Sequence, residues 1–184
     1  VFDLLDTPPT IQTDTPQEAA SSTVRGQIEF ENVWFAYKPD EWVLREVSFS
    51  VAPGESVAIV GATGAGKTTI IKLLNRFYDV QRGRILVDGI DVREWDVPAL
   101  RRAVGAVAQD VFLFAGTVAE NIGLGVVTDH ERIRRAAQAV HADRFIERMN
   151  GGYDATLQER GSNLSVGQRQ LLSFARALAY DPAI

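Results

Sequence analysis

The sequence predicts an α/β fold with three parts: a core around a glycine-rich loop, an antiparallel β-subdomain on its N-terminal side, and a helical subdomain. Alternating apolar and polar residues between Gln27 and Val51 are typical of short antiparallel strands joined by tight turns. A short apolar run at Ser56–Val60 continues into the glycine-rich loop, and helical spacing follows. Helical spacing also dominates from Thr117 to Met149, which predicts the third part.

The composition is that of one globular domain of ordinary size. Of the 184 residues, 46% are hydrophobic and 23% are charged, which allows a core and argues against disorder. The net charge of −5, from 24 acidic and 19 basic side chains, argues against a general nucleic-acid binder. The lack of cysteine excludes a disulfide scaffold, a thiolate metal site and a cysteine nucleophile. No apolar stretch approaches the ~20 residues that span a bilayer, and no signal-peptide pattern opens the chain.

The first 24 residues differ from the rest. Val1–Asp6 is a short apolar and acidic piece that fits the end of a helix, and Thr7–Thr23 has the Thr, Pro, Ser and Gln content of a linker. We therefore assign residues 1–24 to a linker and residues 25–184 to the folded domain, with the helical subdomain at about 112–165.

The core elements follow in order along the chain. Ser56–Val60 is predicted as a compact buried strand, and a helix begins near Lys67 because apolar residues then recur at helical spacing. Further strands are predicted at 83–88, where an Asp88-Gly89 turn ends the strand, and at 104–108. A last helix is predicted at about 166–179, and Asp181-Pro182 stops it.

The loop between the apolar strand and the first helix predicts phosphate binding. Its sequence, Gly61-Ala62-Thr63-Gly64-Ala65-Gly66-Lys67-Thr68, fits the pattern G-x-x-x-x-G-K-[ST]. Glycines let the backbone curl so that N–H groups point at phosphate oxygens, and the helix N-terminus adds partial positive charge. Lys67 can reach the β- and γ-phosphates of ATP, and the Thr68 hydroxyl can hold Mg²⁺. A chance match of four constrained positions is expected in roughly one such chain in a hundred. We therefore predict that the loop from Gly61 to Thr69 binds ATP.

A second helix N-terminus, at Leu164-Ser165-Val166-Gly167-Gln168, has features of an anion site. Ser165 is a good N-cap, and Gly167 leaves the backbone open to a close approach. An ordinary capped helix explains these residues equally well. Two prepared helix N-termini indicate either two anion sites in one chain or one site shared between two copies of the fold.

The phosphate loop, Gln109, Glu159-Arg160-Gly161 and Leu164–Gln168 occur in the order seen in the ATPase domains of ATP-binding cassette (ABC) transporters. The chain from about Gln27 to Ile184 resembles this family of P-loop NTPases, which implies their α/β fold. Leu164–Gln168 resembles the family's signature motif, with Val166 where glycine is commonest.

The resemblance implies roles on the side of the bound nucleotide. Tyr37 would stack on the adenine, which agrees with the ~1–3 kcal/mol that base–aromatic stacking supplies; a half-buried strand aromatic is the alternative. Lys67 and Gln109 would serve catalysis. Thr68 and Gln109 would contact Mg²⁺, and Gln109 would also contact the attacking water and sense the membrane domains.

The resemblance also implies partners. Ser165, Gly167 and Gln168 would close over the γ-phosphate of ATP held by a second ABC ATPase domain, in a head-to-tail dimer with two ATP molecules at the interface. Glu159-Arg160-Gly161 would touch transmembrane domains, although Gln158 replaces the usual glycine before Glu159.

The linker and Phe112–Ile122 are similar to the exporter type, such as multidrug and lipid exporters, in which the ATPase is fused to a transmembrane domain. The resemblance therefore implies ATP hydrolysis coupled to export, at the cytoplasmic face of the inner membrane. One rival is an ABC ATPase outside transport. Another is a degenerate subunit that binds ATP and only regulates its partner.

Three acidic or imidazole side chains are predicted to be unrelated to the chemistry. Asp88 follows an apolar strand, but it precedes the signature and Gly89 makes it a turn residue. His130 and His141 are predicted to be surface or packing residues. The family's strand that ends in Asp-Glu, and its later histidine, do not occur before Ile184. We therefore expect this chain alone to bind ATP weakly and to turn it over very slowly.

Overall fold

The computed structural model describes Ile11 and residues 24–184. The linker predicted at 1–24 therefore lies, apart from Ile11 and Val24, outside the described residues. The described residues form two compact units: the first ends at Val104 and also includes Ala183–Ile184, and the second is Gly105–Pro182. The helical subdomain predicted at about 112–165 falls within the second unit. Across the described part of the chain, no helix has the length and apolar character needed to span a bilayer.

The first unit contains a four-stranded antiparallel sheet, which confirms the predicted β-subdomain. Its strands are β1 (Ile28–Ala36), β2 (Trp42–Val51), β3 (Arg82–Val87) and β4 (Ile90–Asp91), and their order is β2-β1-β3-β4. Asp88 and Gly89 form the turn between β3 and β4, as predicted.

An irregularity in β1 explains its side-chain pattern. Ile28 and Phe30 are buried, and the alternation then restarts at Val33 and Phe35. Between them, Asn32 has a positive φ of 48° and the pairing register with β2 shifts, which is the behaviour of a β-bulge. The bulge turns the apolar residues of both halves of the strand toward the same core.

Two helices pack on this core. The helix α1 (Lys67–Leu74) begins where the sequence predicts, and it buries Ile70, Leu73 and Leu74 on one face. The helix α2 (Val97–Ala103) is capped by Asp96, whose side chain accepts a hydrogen bond from Ala99 N at 2.9 Å.

Two predicted strands are wrong. Ser56–Val60, the strand expected before the phosphate loop, has no regular structure, and all five of its residues are exposed. Residues 104–108 are also irregular. A continuous apolar run predicts burial on both faces of a sheet, but a strand forms only when a neighbour pairs its backbone N–H and C=O groups. Among the described residues, no strand pairs with either segment.

The second unit is mainly helical, as predicted. Its helices are α3 (Val118–Gly123), α4 (His130–Ala139), α5 (Asp143–Ile146) and α6 (Val166–Tyr180), and a two-stranded sheet joins β5 (Gly116–Thr117) to β6 (Thr156–Leu157). Short 3₁₀ turns occupy Gly152–Asp154 and Glu159–Gly161. The core of the unit lies among α3, α4 and α6 and is formed by buried aliphatic residues, including Ile122, Ile133, Ala137, Leu172 and Ala175.

Candidate functional site

The predicted phosphate loop is a curled, exposed segment that leads into α1. Gly64 and Gly66 have φ values of 85° and 88°, a backbone conformation that glycine adopts without strain. Ala65 N donates to Ala62 O at 3.2 Å, which closes the turn. Gly66 is the N-cap of α1, so the loop ends at the positive end of the helix dipole. The loop therefore has the glycine turns and the helix N-terminus that the prediction requires, although the strand expected before it is absent.

Lys67 folds back over this loop. Its ammonium donates to Gly61 O at 2.8 Å and to Ala62 O at 2.7 Å. These two carbonyls keep the ammonium against the first residues of the loop. The Thr68 side chain is exposed on the first turn of the same helix.

Tyr37 follows the end of β1, and its side chain is 46% exposed. Its hydroxyl lies 3.1 Å from Thr69 Oγ1, in the first turn of α1. The Tyr37 ring also makes edge contacts with Phe35 and Tyr78, and Lys72 Nζ lies 5.7 Å from its centroid. The structure therefore brings the predicted base-stacking residue and the phosphate-loop helix together.

The Tyr37 ring lines a groove of about 610 Å³ in the first unit. Other rings line the same groove, together with polar and charged side chains, namely Phe35, Phe77, Tyr78, Asp79, Gln81 and Arg101. Arg101 is held there by its hydrogen bonds to Asn75 O and Arg76 O and by the Phe77 ring, whose centroid lies 4.8 Å from the guanidinium. A planar aromatic ligand would find both stacking surfaces and hydrogen-bond partners in this groove.

The remaining predicted site residues belong to the second unit. Gln109 is exposed and lies in a bend. The Glu159–Gly161 turn is stabilised by Gly161 N, which donates to Gln158 O at 2.8 Å. The side chain of Gln158 accepts a hydrogen bond from Ser162 Oγ at 3.0 Å, so this glutamine stabilises the turn locally.

The predicted signature segment forms the N-terminus of α6. Ser165 Oγ accepts from Gln168 N at 3.2 Å, and Gln168 Oε1 accepts from Ser165 N at 2.8 Å, which is a complete capping box. Ser165 keeps its hydroxyl proton for a further acceptor, because the cap uses only an oxygen lone pair. A Cβ at Gly167 would meet no atom within 4 Å, so the backbone is open to a ligand. The segment fits an anion as well as an ordinary cap.

Two arginines that sequence reasoning did not single out hold these segments in place. Arg169 donates to Leu164 O at 2.7 Å, just before the cap of α6. Arg176 donates to Asn121 O at 2.9 Å and to Phe112 O at 3.1 Å, so it fixes the chain shortly after Gln109. Burial lowers the pKa of Arg176 from its ordinary value. The contacts of Arg176 span more than fifty positions, and no local pattern indicates them.

Asp88, His130 and His141, which the sequence predicts to be unrelated to the chemistry, have structural contacts or are exposed. The Asp88 carboxylate accepts hydrogen bonds from Arg25 N at 2.7 Å and from Gln27 N at 2.9 Å, so it anchors the chain that enters β1. His130 and His141 are exposed. Asp88 is thus a turn residue and both histidines are surface residues, as predicted; that none of the three takes part in the chemistry stays a prediction.

The Thr68 hydroxyl, exposed on the first turn of α1, is an oxygen donor of the kind that Mg²⁺ prefers. No cluster of acidic or histidine side chains in the described part of the chain could hold a metal by itself. Both observations fit an ion held mainly by phosphate oxygens and water, because Mg²⁺ retains waters and uses few protein ligands at nucleotide sites.

The glycine-rich loop before α1 and the capped signature segment before α6 are the two features by which the sequence resembles ABC ATPase domains, and a family comparison agrees. The profile of the ABC transporter family matches residues 44–184, and the chain belongs to that family. The predicted membership and the predicted α/β fold are thereby confirmed.

Similar proteins point to the exporter type within the family. The chain is 45% identical to the uncharacterized ABC transporter ATP-binding protein YknV of Bacillus subtilis, over all of this chain and 30% of YknV. It is 44% identical to the fatty acid ABC transporter ATP-binding/permease protein of Mycobacterium tuberculosis, over all of this chain and 29% of that protein. A solved bacterial Atm1-family ABC exporter with ATP bound matches 98% of this chain and 32% of its own, with a TM-score of 0.89 and 40% identity. The chain thus spans less than a third of the length of these relatives.

Proposed function

We propose that this chain is the ATP-binding domain of an ABC exporter and that, in the whole protein, it hydrolyses ATP to drive export. One observation carries the proposal: a glycine loop at the N-terminus of α1 with the Lys67 ammonium held above it. The similar exporter solved with ATP bound supports the same ligand.

The first unit would bind most of the nucleotide. Loop amides from Gly61 to Thr69 and Lys67 would bind the phosphates, and Tyr37 would stack on the adenine. Thr68 would contact Mg²⁺, which neutralises charge on the β- and γ-phosphates when bound, and the family resemblance implies a contact with this ion for Gln109 as well. Lys67 would stabilise the charge of the transferred phosphoryl group, and Gln109 would orient the attacking water.

The second unit would complete the site of another chain. Ser165, Gly167 and Gln168 would meet the γ-phosphate of ATP bound by a second ABC ATPase domain, in a head-to-tail dimer. The free hydroxyl proton of Ser165 and the open backbone at Gly167 support this assignment. ATP would then join the two domains, and hydrolysis would release them.

Transmembrane domains of the same transporter would be the other partner, at the cytoplasmic face of the membrane. Gln109 and the Glu159–Gly161 turn would lie on that side. Relatives carry names that refer to fatty acids, multidrug export and iron–sulfur clusters. We therefore assign the choice of substrate to the transmembrane part.

Binding of labelled ATP tests the proposal. Lys67→Ala should weaken binding at least about tenfold, because hydrogen bonds to charged groups contribute about 1.5–3 kcal/mol. Lys38→Ala removes the same charge from an exposed turn and serves as the matched control. Unchanged affinity in Lys67→Ala, or equal losses in both variants, would argue against the phosphate-loop assignment.

A further inference from the structure

The Tyr37 ring is held from several directions. Its hydroxyl pairs with the Thr69 hydroxyl at 3.1 Å. Phe35 and Tyr78 contact it at centroid distances of 4.8 Å and 5.2 Å, each with an interplanar angle of 87°. The ring plane is therefore defined before any ligand arrives, while nearly half of the side chain remains exposed.

Thr69 contributes to this arrangement from inside the protein. Its residue is only 5% exposed, although it lies in the first turn of the helix that carries the phosphate loop. A hydroxyl that is buried to this extent requires a hydrogen-bond partner, and the Tyr37 hydroxyl supplies one. The bond joins residues 32 positions apart and ties the end of β1 to α1.

We propose that Thr69 is a positioning residue for base recognition, because its hydroxyl fixes the Tyr37 ring in the orientation that receives the adenine. A ring that is already ordered loses less conformational freedom on binding, so the base binds more tightly. This inference rests on the proposed function, since it concerns the same nucleotide. Thr69 would then contribute to binding of the adenine through Tyr37, in addition to its predicted place in the phosphate loop.

Two ligands separate these roles. ATP carries a base and inorganic tripolyphosphate does not. The ratio of their dissociation constants therefore measures how much the nucleoside part of ATP adds to the affinity. Tyr37→Phe keeps the ring and removes the bond, and Thr69→Val removes the same bond from the other side. Each should reduce the preference for ATP over tripolyphosphate about three- to tenfold, which is the range for one hydrogen bond.

The double variant should show no greater reduction than either single variant, because both remove one shared bond. Thr69→Ser retains a hydroxyl and should restore the preference. Tyr153→Phe, which removes a tyrosine hydroxyl from the second unit, is the matched control and should leave the ratio unchanged. Binding is measured by calorimetry on the purified chain, with thermal unfolding as the check on folding.

Distinct outcomes overturn the two proposals. If the wild-type chain binds neither ligand even at the millimolar ligand concentrations that weak binding requires, the proposed function fails. If it binds ATP but Tyr37→Phe and Thr69→Val leave the ratio unchanged, the positioning role fails and the function stands. Additive losses in the double variant, or a Thr69→Val loss that is equal for both ligands, also overturn the positioning role. If Thr69→Val does not fold, the ratio measured for Tyr37→Phe decides the matter.

Discussion

The Tyr37 hydroxyl lies 3.1 Å from the Thr69 hydroxyl, and this contact fixes an aromatic ring beyond β1 to the first turn of α1. The proposed base-binding and phosphate-binding parts of the first unit therefore share one hydrogen-bonded frame. Such a frame favours a ligand whose planar and anionic ends are separated by a set distance, as they are in a nucleotide.

Two loop glycines with the same backbone conformation predict different costs of substitution. A Cβ at Gly66 would lie 2.8 Å from Leu44 Cδ2 and 3.2 Å from Val43 Cγ1, whereas a Cβ at Gly64 would meet nothing within 4 Å. Positive φ costs alanine about 1–2 kcal/mol at either position. We expect Gly66→Ala to lose a further ~1 kcal/mol or more of unfolding free energy from overpacking. Equal shifts of the two variants in urea unfolding would contradict this.

The capping box of α6 has a close counterpart in the same unit. Ser165 and Thr117 each accept a hydrogen bond from the backbone three residues later, so substituting either by alanine should cost about 1 kcal/mol. Only Ser165→Ala should also weaken ATP-dependent association of two chains, measured by light scattering. If both variants weaken association equally, stability alone explains the effect of Ser165.

Substituting Asp88 should lower the free energy of unfolding and should leave Mg²⁺-dependent ATP binding unchanged. Asp88→Ala leaves the backbone N–H groups of Arg25 and Gln27 without their acceptor, at an expected cost of about 1–3 kcal/mol. Asp88→Asn should cost less, because its amide oxygen still accepts and asparagine tolerates a positive φ. Calorimetry should show unchanged Mg²⁺-dependent ATP affinity in Asp88→Asn. A loss of that affinity at unchanged stability would contradict the structural role.

Alkaline pH should destabilise the fold partly through Tyr180. Burial raises the pKa of Tyr180, and its hydroxyl donates to Gly123 O at 3.3 Å. Above the ordinary tyrosine value of about 10, the unfolded chain releases this proton before the folded chain does, so stability falls as pH rises. Tyr180→Phe should lose less stability between about pH 8 and pH 10.5 in urea unfolding. Burial also raises the pKa of Tyr153, so part of the decline should persist; an unchanged slope would contradict the assignment.

Local patterns predict those parts of the fold that local chemistry determines. The strands β1 and β2 alternate apolar and polar residues, and α6 carries its own N-cap at Ser165. The strand predicted at Ser56–Val60 is absent from the structure. An apolar run predicts burial, but it does not indicate which strand will pair with the segment.

In the candidate site too, some features follow from local sequence and others depend on residues that are far apart in the chain. The phosphate loop is predictable because glycine positions and Lys67 are adjacent in sequence. The Tyr37–Thr69 bond and the contacts of Arg176 join residues far apart in the chain, and they depend on how β1, α1 and α6 pack within their own units. Packing partners of that kind cannot be identified from a single sequence.

The uncovered Ser56–Val60 segment also affects how this chain behaves in solution. Its valine and isoleucine side chains are exposed, to 87% at Val60, and no strand among the described residues pairs with its backbone. Exposed β-branched segments with unpaired backbone recruit extended strands from neighbouring molecules. Concentrated preparations should therefore precipitate through intermolecular β-structure, unless another strand covers this segment first.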